Sequence, residues 1–146
     1  MAVLGLPGIS KWMRVQYEEE LGHALKFFGF VNERGGKVTL QAIDQPTTDF
    51  ESPLAVFQQS LAHEQKVTGM INNLYALAVK ENDYPAQVLL QWYINEQVEE
   101  EKNATNIVEQ LKLIGKDGSA LLILDRELGS RKTGAGTAMP AGADAA

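Results

Sequence analysis

The sequence predicts an all-α fold, a helical bundle with one long crossover and a short C-terminal helix. Apolar residues recur at intervals of three and four through three long segments, the spacing of a helix face, without strand-like alternation. Gly and Pro punctuate those segments where helices stop and start. One connector of roughly 18 residues exceeds the usual turns of compact bundles, and in a helical protein it carries the chain back to the other end.

The first helix runs from about Gly8 to Arg34, with Trp12, Val15, Leu21, Leu25, Phe27, Phe28 and Val31 in helical register, and Gly35 and Gly36 stop it. The connector spans about Gly35 to Ser52 and contains Pro46 and the polar run Thr47, Thr48, Asp49. The second helix opens at Ser52 and Pro53, N-cap and first helical position, and continues to about Glu81. A turn at Asn82 to Pro85 returns the chain antiparallel into a third helix, from Pro85 to about Ile114, which ends in the Gly115 to Gly118 stretch. A last amphipathic helix covers Ser119 to Leu128. From Gly129 onward the residues are small and of low complexity, and are expected to form a disordered tail.

A length of 146 residues sets one domain, and 45% hydrophobic residues suffice for a packed core. The net charge of −6 argues against a nucleic-acid surface and suits cation binding, though mildly acidic soluble proteins are common. The absence of cysteine excludes disulfides, thiolate zinc sites, iron–sulfur clusters and cysteine nucleophiles. No apolar run reaches the ~18 residues of a membrane span, and Met1 to Pro7 lack the basic start of a secretory signal, so a cytoplasmic protein is expected.

Metal ligands on a helix must lie about one turn apart to converge. Glu20 and His23 form such an i, i+3 pair, the spacing used by two-metal helical bundles, with Glu19 beside them. The second helix offers Glu64, next to His63 and among Leu61, Val67 and Ile71. On the third helix, at about 100° per residue, Glu96, Glu99 and Glu100 fall in one sector, with Gln97 at its edge and Trp92 one turn earlier. An acidic run is ordinarily a solvated face, and a lone Glu–His pair occurs on many. Aromatic and aliphatic residues share this sector, however, and buried carboxylates must be protonated or hold a cation. Oxygen and imidazole donors without sulfur suit iron or manganese. Placed on facing helices, these three fragments would form a carboxylate-bridged two-metal site.

Three stretches, RVQYEEELGHALKFFGFVNERGG, ESPLAVFQQSLAHEQKVTGMINNLYALA and DYPAQVLLQWYINEQVEEEKNATNIVEQLKLIG, resemble the matching segments of bacterial non-haem ferritins. LLILDRELG is similar to that family's short terminal helix, and the likeness covers about residues 4 to 131. The resemblance implies a ferritin-like four-helix bundle and a ferroxidase, which oxidises Fe(II) with dioxygen and deposits a ferric mineral inside a twenty-four-subunit cage. It implies that Glu20 bridges two irons, that His23 binds the first, and that Glu64 and Glu100 bind the second beside Gln97. Glu19, Glu96 and Glu99, with Glu100, correspond to a third iron site. Gln97 and Glu100 stand where bacterioferritins carry a second Glu–His pair, and no first-helix methionine matches a haem ligand, so no haem is expected.

Ferritins have another long helix before the segment that opens this chain, supplying a glutamate to the first iron and a tyrosine nearby. Met1 to Pro7 match only the loop after it. The expectation is therefore a ferritin-like domain over residues 1–131 that lacks the first bundle helix, followed by a tail over 132–146. The alternative to an active ferroxidase is a truncated, catalytically impaired iron-binding or structural subunit that associates through the groove left open.

Overall fold

The computed structural model describes residues 5–132. Among them are four α-helices and no strand: α1 (Pro7–Glu33), α2 (Pro53–Lys80), α3 (Tyr84–Ile114) and α4 (Gly118–Gly129). The punctuation read from the sequence sets these boundaries. Ser52 caps α2 by accepting from the Ala55 N–H at 3.1 Å, and Pro53 follows at the first helical position. Asp83 caps α3 in the same way through Ala86, so that helix starts at Tyr84, one residue before Pro85. Gly35 and Gly115 take the positive φ that ends α1 and α3. Residues 36–51 form no regular structure.

The chain divides into two compact units, one holding α1 and α4 and the other spanning Asp49–Asp117 with α2 and α3.

In the first unit, Leu6 stands at the N-cap of α1 and offers no capping side chain. The cap comes from α4 instead. The buried carboxylate of Asp125 accepts from the Gly8 N–H at 3.1 Å and the Ile9 N–H at 2.8 Å. A negative charge at a helix N-terminus is favoured by the backbone dipoles, and two N–H donors offset its burial. The approach requires glycine. A Cβ on Gly8 would lie 1.7 Å from the Asp125 carbonyl oxygen, and one on Gly129 would lie 2.9 Å from the Gly8 Cα. Leu6, Ile9, Trp12 and Val15 are buried in this unit, as are Leu124 and Leu128.

The second unit is an antiparallel helix hairpin. Asn82 takes positive φ in the turn, and the Asp83 N–H reaches back to the Ala78 carbonyl at 2.9 Å. Side chains then pair in reverse order along it: Gln87 with Ala78, Gln91 with Tyr75, and Gln97 with Glu64 and Thr68. The core is made by Val56, Phe57, Ile71 and Ala78 of α2, with Leu90, Tyr93, Ala104, Ile107, Val108 and Leu111 of α3. Burying a large aliphatic or aromatic side chain contributes about 1.5–3 kcal/mol, so this face holds the hairpin.

Two expectations change. The buried face of α3 centres on Tyr93, Glu100, Ala104 and Leu111, so Gln97 lies within it and Glu99 is the exposed edge. A helical wheel puts Gln97 at the edge, because angular spacing groups residues without saying which side of the group faces inward. The ordered chain also continues past Leu128. Ser130 donates to the Glu127 carbonyl at 2.6 Å, and Arg131 is held by side chains of α1. The rest of the expected tail lies outside the described residues.

Candidate functional site

In the first unit α1 presents Gln16, Glu19, Glu20 and His23 within two turns. His23 Nδ1 lies 3.4 Å from Glu20 Oε2, the proximity that i, i+3 spacing provides. The other Glu20 oxygen accepts from the Gln16 amide at 3.2 Å. Gln16 is buried, and its Oε1 accepts from Arg131 at 2.9 Å. Arg131 also donates to Glu19 Oε2, and its guanidinium lies 4.7 Å from the centre of the Trp12 ring. The remaining Glu19 oxygen, Oε1, is buried without a hydrogen-bond partner.

Burial raises the Glu19 carboxyl above its ordinary value of 4.5. Arg131 and His23 pull it down and Glu20 pushes it up, but loss of hydration is the largest effect and sets the direction.

In the second unit, Glu64 on α2 and Glu96, Gln97 and Glu100 on α3 are all buried. Ligand oxygens of Glu64 and Glu100 lie within 4.8 Å of each other. The Gln97 amide donates to Glu64 Oε2 at 3.2 Å and reaches the Glu64 carbonyl at 3.1 Å and Thr68 Oγ1 at 3.2 Å. Thr68 in turn donates to Glu101 at 2.7 Å. Two buried carboxylates this close repel one another when ionised, and a cation between them removes that cost. Trp92 packs edge-on against Tyr93, ring centres 4.8 Å apart. His63 is exposed.

The first unit thus brings together Glu19, Glu20 and His23, and the second Glu64, Gln97 and Glu100, with Glu96 buried and Glu99 exposed on the same helix. The sequence reading singles out neither Gln16, Thr68 nor Arg131, and it places Glu101 further round α3 than the acidic sector. Gln16 had a signal in hindsight, since it stands one turn before Glu20. Arg131 had none, because nothing local shows what a basic residue just past a helix will meet.

Helices bearing carboxylates, an imidazole and amides at turn spacing, without sulfur, define a helical protein equipped for hard or borderline metal ions. The chain belongs to the ferritin family, a family of iron-storing proteins, as its residues 1–114 match the ferritin-like domain. It is 37% identical over 129 residues to a probable bacterial non-heme ferritin-like protein of Haemophilus influenzae, covering 88% of this chain and 78% of that one. It is 36% identical over 124 residues to the bacterial non-heme ferritin of Staphylococcus aureus, covering 85% and 75%. Among solved structures it is similar to an open pore ferritin from Archaeoglobus fulgidus, with 51% identity, a TM-score of 0.88, and coverage of 90% of this chain and 81% of that one. No helix among the described residues is long and apolar enough to cross a membrane.

Proposed function

We propose that this chain is a ferroxidase subunit that oxidises ferrous iron with dioxygen and stores the ferric product inside a cage of its own copies. Iron is substrate and cargo. The observation that carries the reading is the buried trio Glu64, Gln97 and Glu100 in a chain of the ferritin family; the Glu20–His23 pair within α1 supports it separately. Glu20 bridges two ferrous ions, His23 binds the first, and Glu64 and Glu100 bind the second beside Gln97. Glu19, Glu96 and Glu99, with Glu100, form a third iron site.

Two ferrous ions give one electron each to dioxygen, which leaves with two protons at the oxidation level of hydrogen peroxide. The carboxylates favour the harder ferric product, and the protein's part is to hold both ions side by side at fixed donors. Gln97 holds Glu64 by a hydrogen bond that carries no charge, which leaves the carboxylate's negative charge available to iron.

Self-association is supported by surface chemistry. Tyr17, Leu21, Leu25 and Phe28 are exposed by 65%, 46%, 58% and 44%, and their spacing puts them on one stripe of α1. A contiguous apolar stripe of that kind marks an interaction surface.

The test is aerobic addition of Fe(II) to the purified protein. Rapid Fe(III) formation with a soluble ferric core supports the reading, and Glu20→Ala should abolish most of the rapid phase. Oxidation no faster than in buffer overturns it. Iron bound without turnover would leave the alternative of an impaired iron-binding subunit.

A further inference from the structure

We propose that Arg131 is a positioning residue of the iron site, whose guanidinium fixes the Glu19 carboxylate and, through the Gln16 amide, the Glu20 carboxylate. The inference rests on the iron reading of Glu19 and Glu20 above and assigns a role to a residue outside that ligand set.

Arg131 uses two different nitrogens, one on Gln16 Oε1 and one on Glu19 Oε2. Because the Gln16 oxygen is taken by Arg131, its amide nitrogen must face the other way, and it donates to Glu20. One planar cation therefore sets two carboxylates: Glu19 directly and Glu20 through an amide whose orientation it dictates. Trp12 lies under the guanidinium, and the Arg131 side chain is only 18% exposed, so its plane is itself held.

A simple fastening of the chain end would look different, and the neighbouring Lys11 shows how. Its ammonium grips the backbone carbonyl of Gly129 at 2.8 Å, at an exposed position, and touches no candidate ligand. The Arg131 guanidinium bonds only to side chains, one of them a candidate ligand and the other the partner of a second. It also occupies just one oxygen of Glu19, leaving Oε1 free of protein donors to meet a metal ion.

A fixed positive charge near a metal site has two opposed effects. It repels the incoming cation, and it orders the ligands that receive it. Partners that orient metal ligands are typically worth about 10–100-fold in affinity or activity, and ordering is the larger effect here because both carboxylates depend on it.

The experiment uses the full assembled chain and measures the initial rate of Fe(III) formation across a range of Fe(II) concentrations. Anaerobic Co(II) titration, read by visible absorption, serves as the binding probe. Arg131→Gln should raise half-saturating Fe(II) and weaken Co(II) binding by about tenfold. Lys11→Ala, which loosens the same segment without touching a ligand, should leave both unchanged. Arg131→Lys keeps the charge without the two-armed geometry, and should recover thermal stability but not affinity. Tighter metal binding in Arg131→Gln would make Arg131 a competitor of iron and overturn the proposal. So would unchanged affinity, or a loss no greater than that in Lys11→Ala. Glu20→Gln separates the two failures: if it leaves rapid oxidation intact, the ferroxidase reading falls first, and the proposal with it.

Discussion

The α1–α4 unit and the α2–α3 unit hold similar acidic side chains by opposite means. In the first, charged side chains do the holding: Asp125 caps the backbone at the start of α1, and Arg131 grips Glu19. In the second, a neutral amide holds the carboxylate, as Gln97 does for Glu64, and apolar burial holds the helices. Glycine at the α1–α4 contact differs from the open glycines Gly22 and Gly29 of α1 and Gly69 of α2 in the same sense. Gly8 of α1 leaves no room for a side chain, whereas Gly69 of α2 has nothing within 4 Å of its would-be Cβ. The α1–α4 contact at Gly8 is a close polar fit that tolerates little, and the α2–α3 face rests on area, which tolerates much.

The glycine contrast gives the largest expected effect. Gly8→Ala would drive a methyl group into the Asp125 backbone and should cost about 3 kcal/mol or more, because backbone cannot yield as a side-chain tip can. Gly69→Ala, in the exposed middle of a helix, should instead stabilise by about 0.4–1 kcal/mol. Denaturant titration of both variants checks the pair, and equal effects would erase the difference between the units.

A smaller change sharpens the contrast between amide and cation. Gln97→Leu removes the donor to Glu64 and Thr68 and leaves a buried carboxylate under-bonded, at about 1–3 kcal/mol. Metal that replaces the missing donor should recover part of this, so the loss should shrink when Co(II) is present during unfolding. A loss that metal does not change would mean that Gln97 serves the hairpin alone.

The smallest effect is one of pH. Burial raises the Glu19 carboxyl above 4.5, so the folded protein holds this proton to higher pH than the unfolded chain does. Its contribution to stability is complete below 4.5 and is lost as pH rises through the raised folded value. Metal-free Glu19→Gln should therefore gain stability relative to the parent between mildly acidic and neutral pH, with no such gain below 4.5. Equal pH profiles for the two proteins would show that Arg131 offsets the burial of Glu19 in full.

The helices were legible in the sequence because their signals are local. Ser52, Pro53, Asp83, Gly35 and Gly115 act on residues within a turn or so of themselves. Glu20 and His23 were legible for the same reason, as was the buried run of α3. The order of burial within that run was not, because spacing fixes the angle between Gln97 and Glu99 but not the direction of the core. The Asp125 cap was hidden further: an aspartate in the run Leu124 to Leu128 reads as surface, and its partners lie 116 and 117 residues away. Arg131 was hidden likewise, 115 residues from Gln16. What a side chain does across such a separation is decided by packing, which no local pattern encodes.

The borrowed cap at Gly8 and Ile9 also bears on how the chain acquires its structure in time. A helix of 12 residues such as α4 is marginal alone in water, and the first turn of α1 has no cap of its own until α4 arrives. The two therefore order together, across a closure of 117 residues whose entropy must be met before the contact rewards it. The α2–α3 hairpin closes through a short local turn and faces no such delay. Amide exchange should accordingly release Gly8 and Ile9 in step with α4 rather than with the middle of α1, making α4 and the first turn of α1 a single cooperative unit of late folding and early opening.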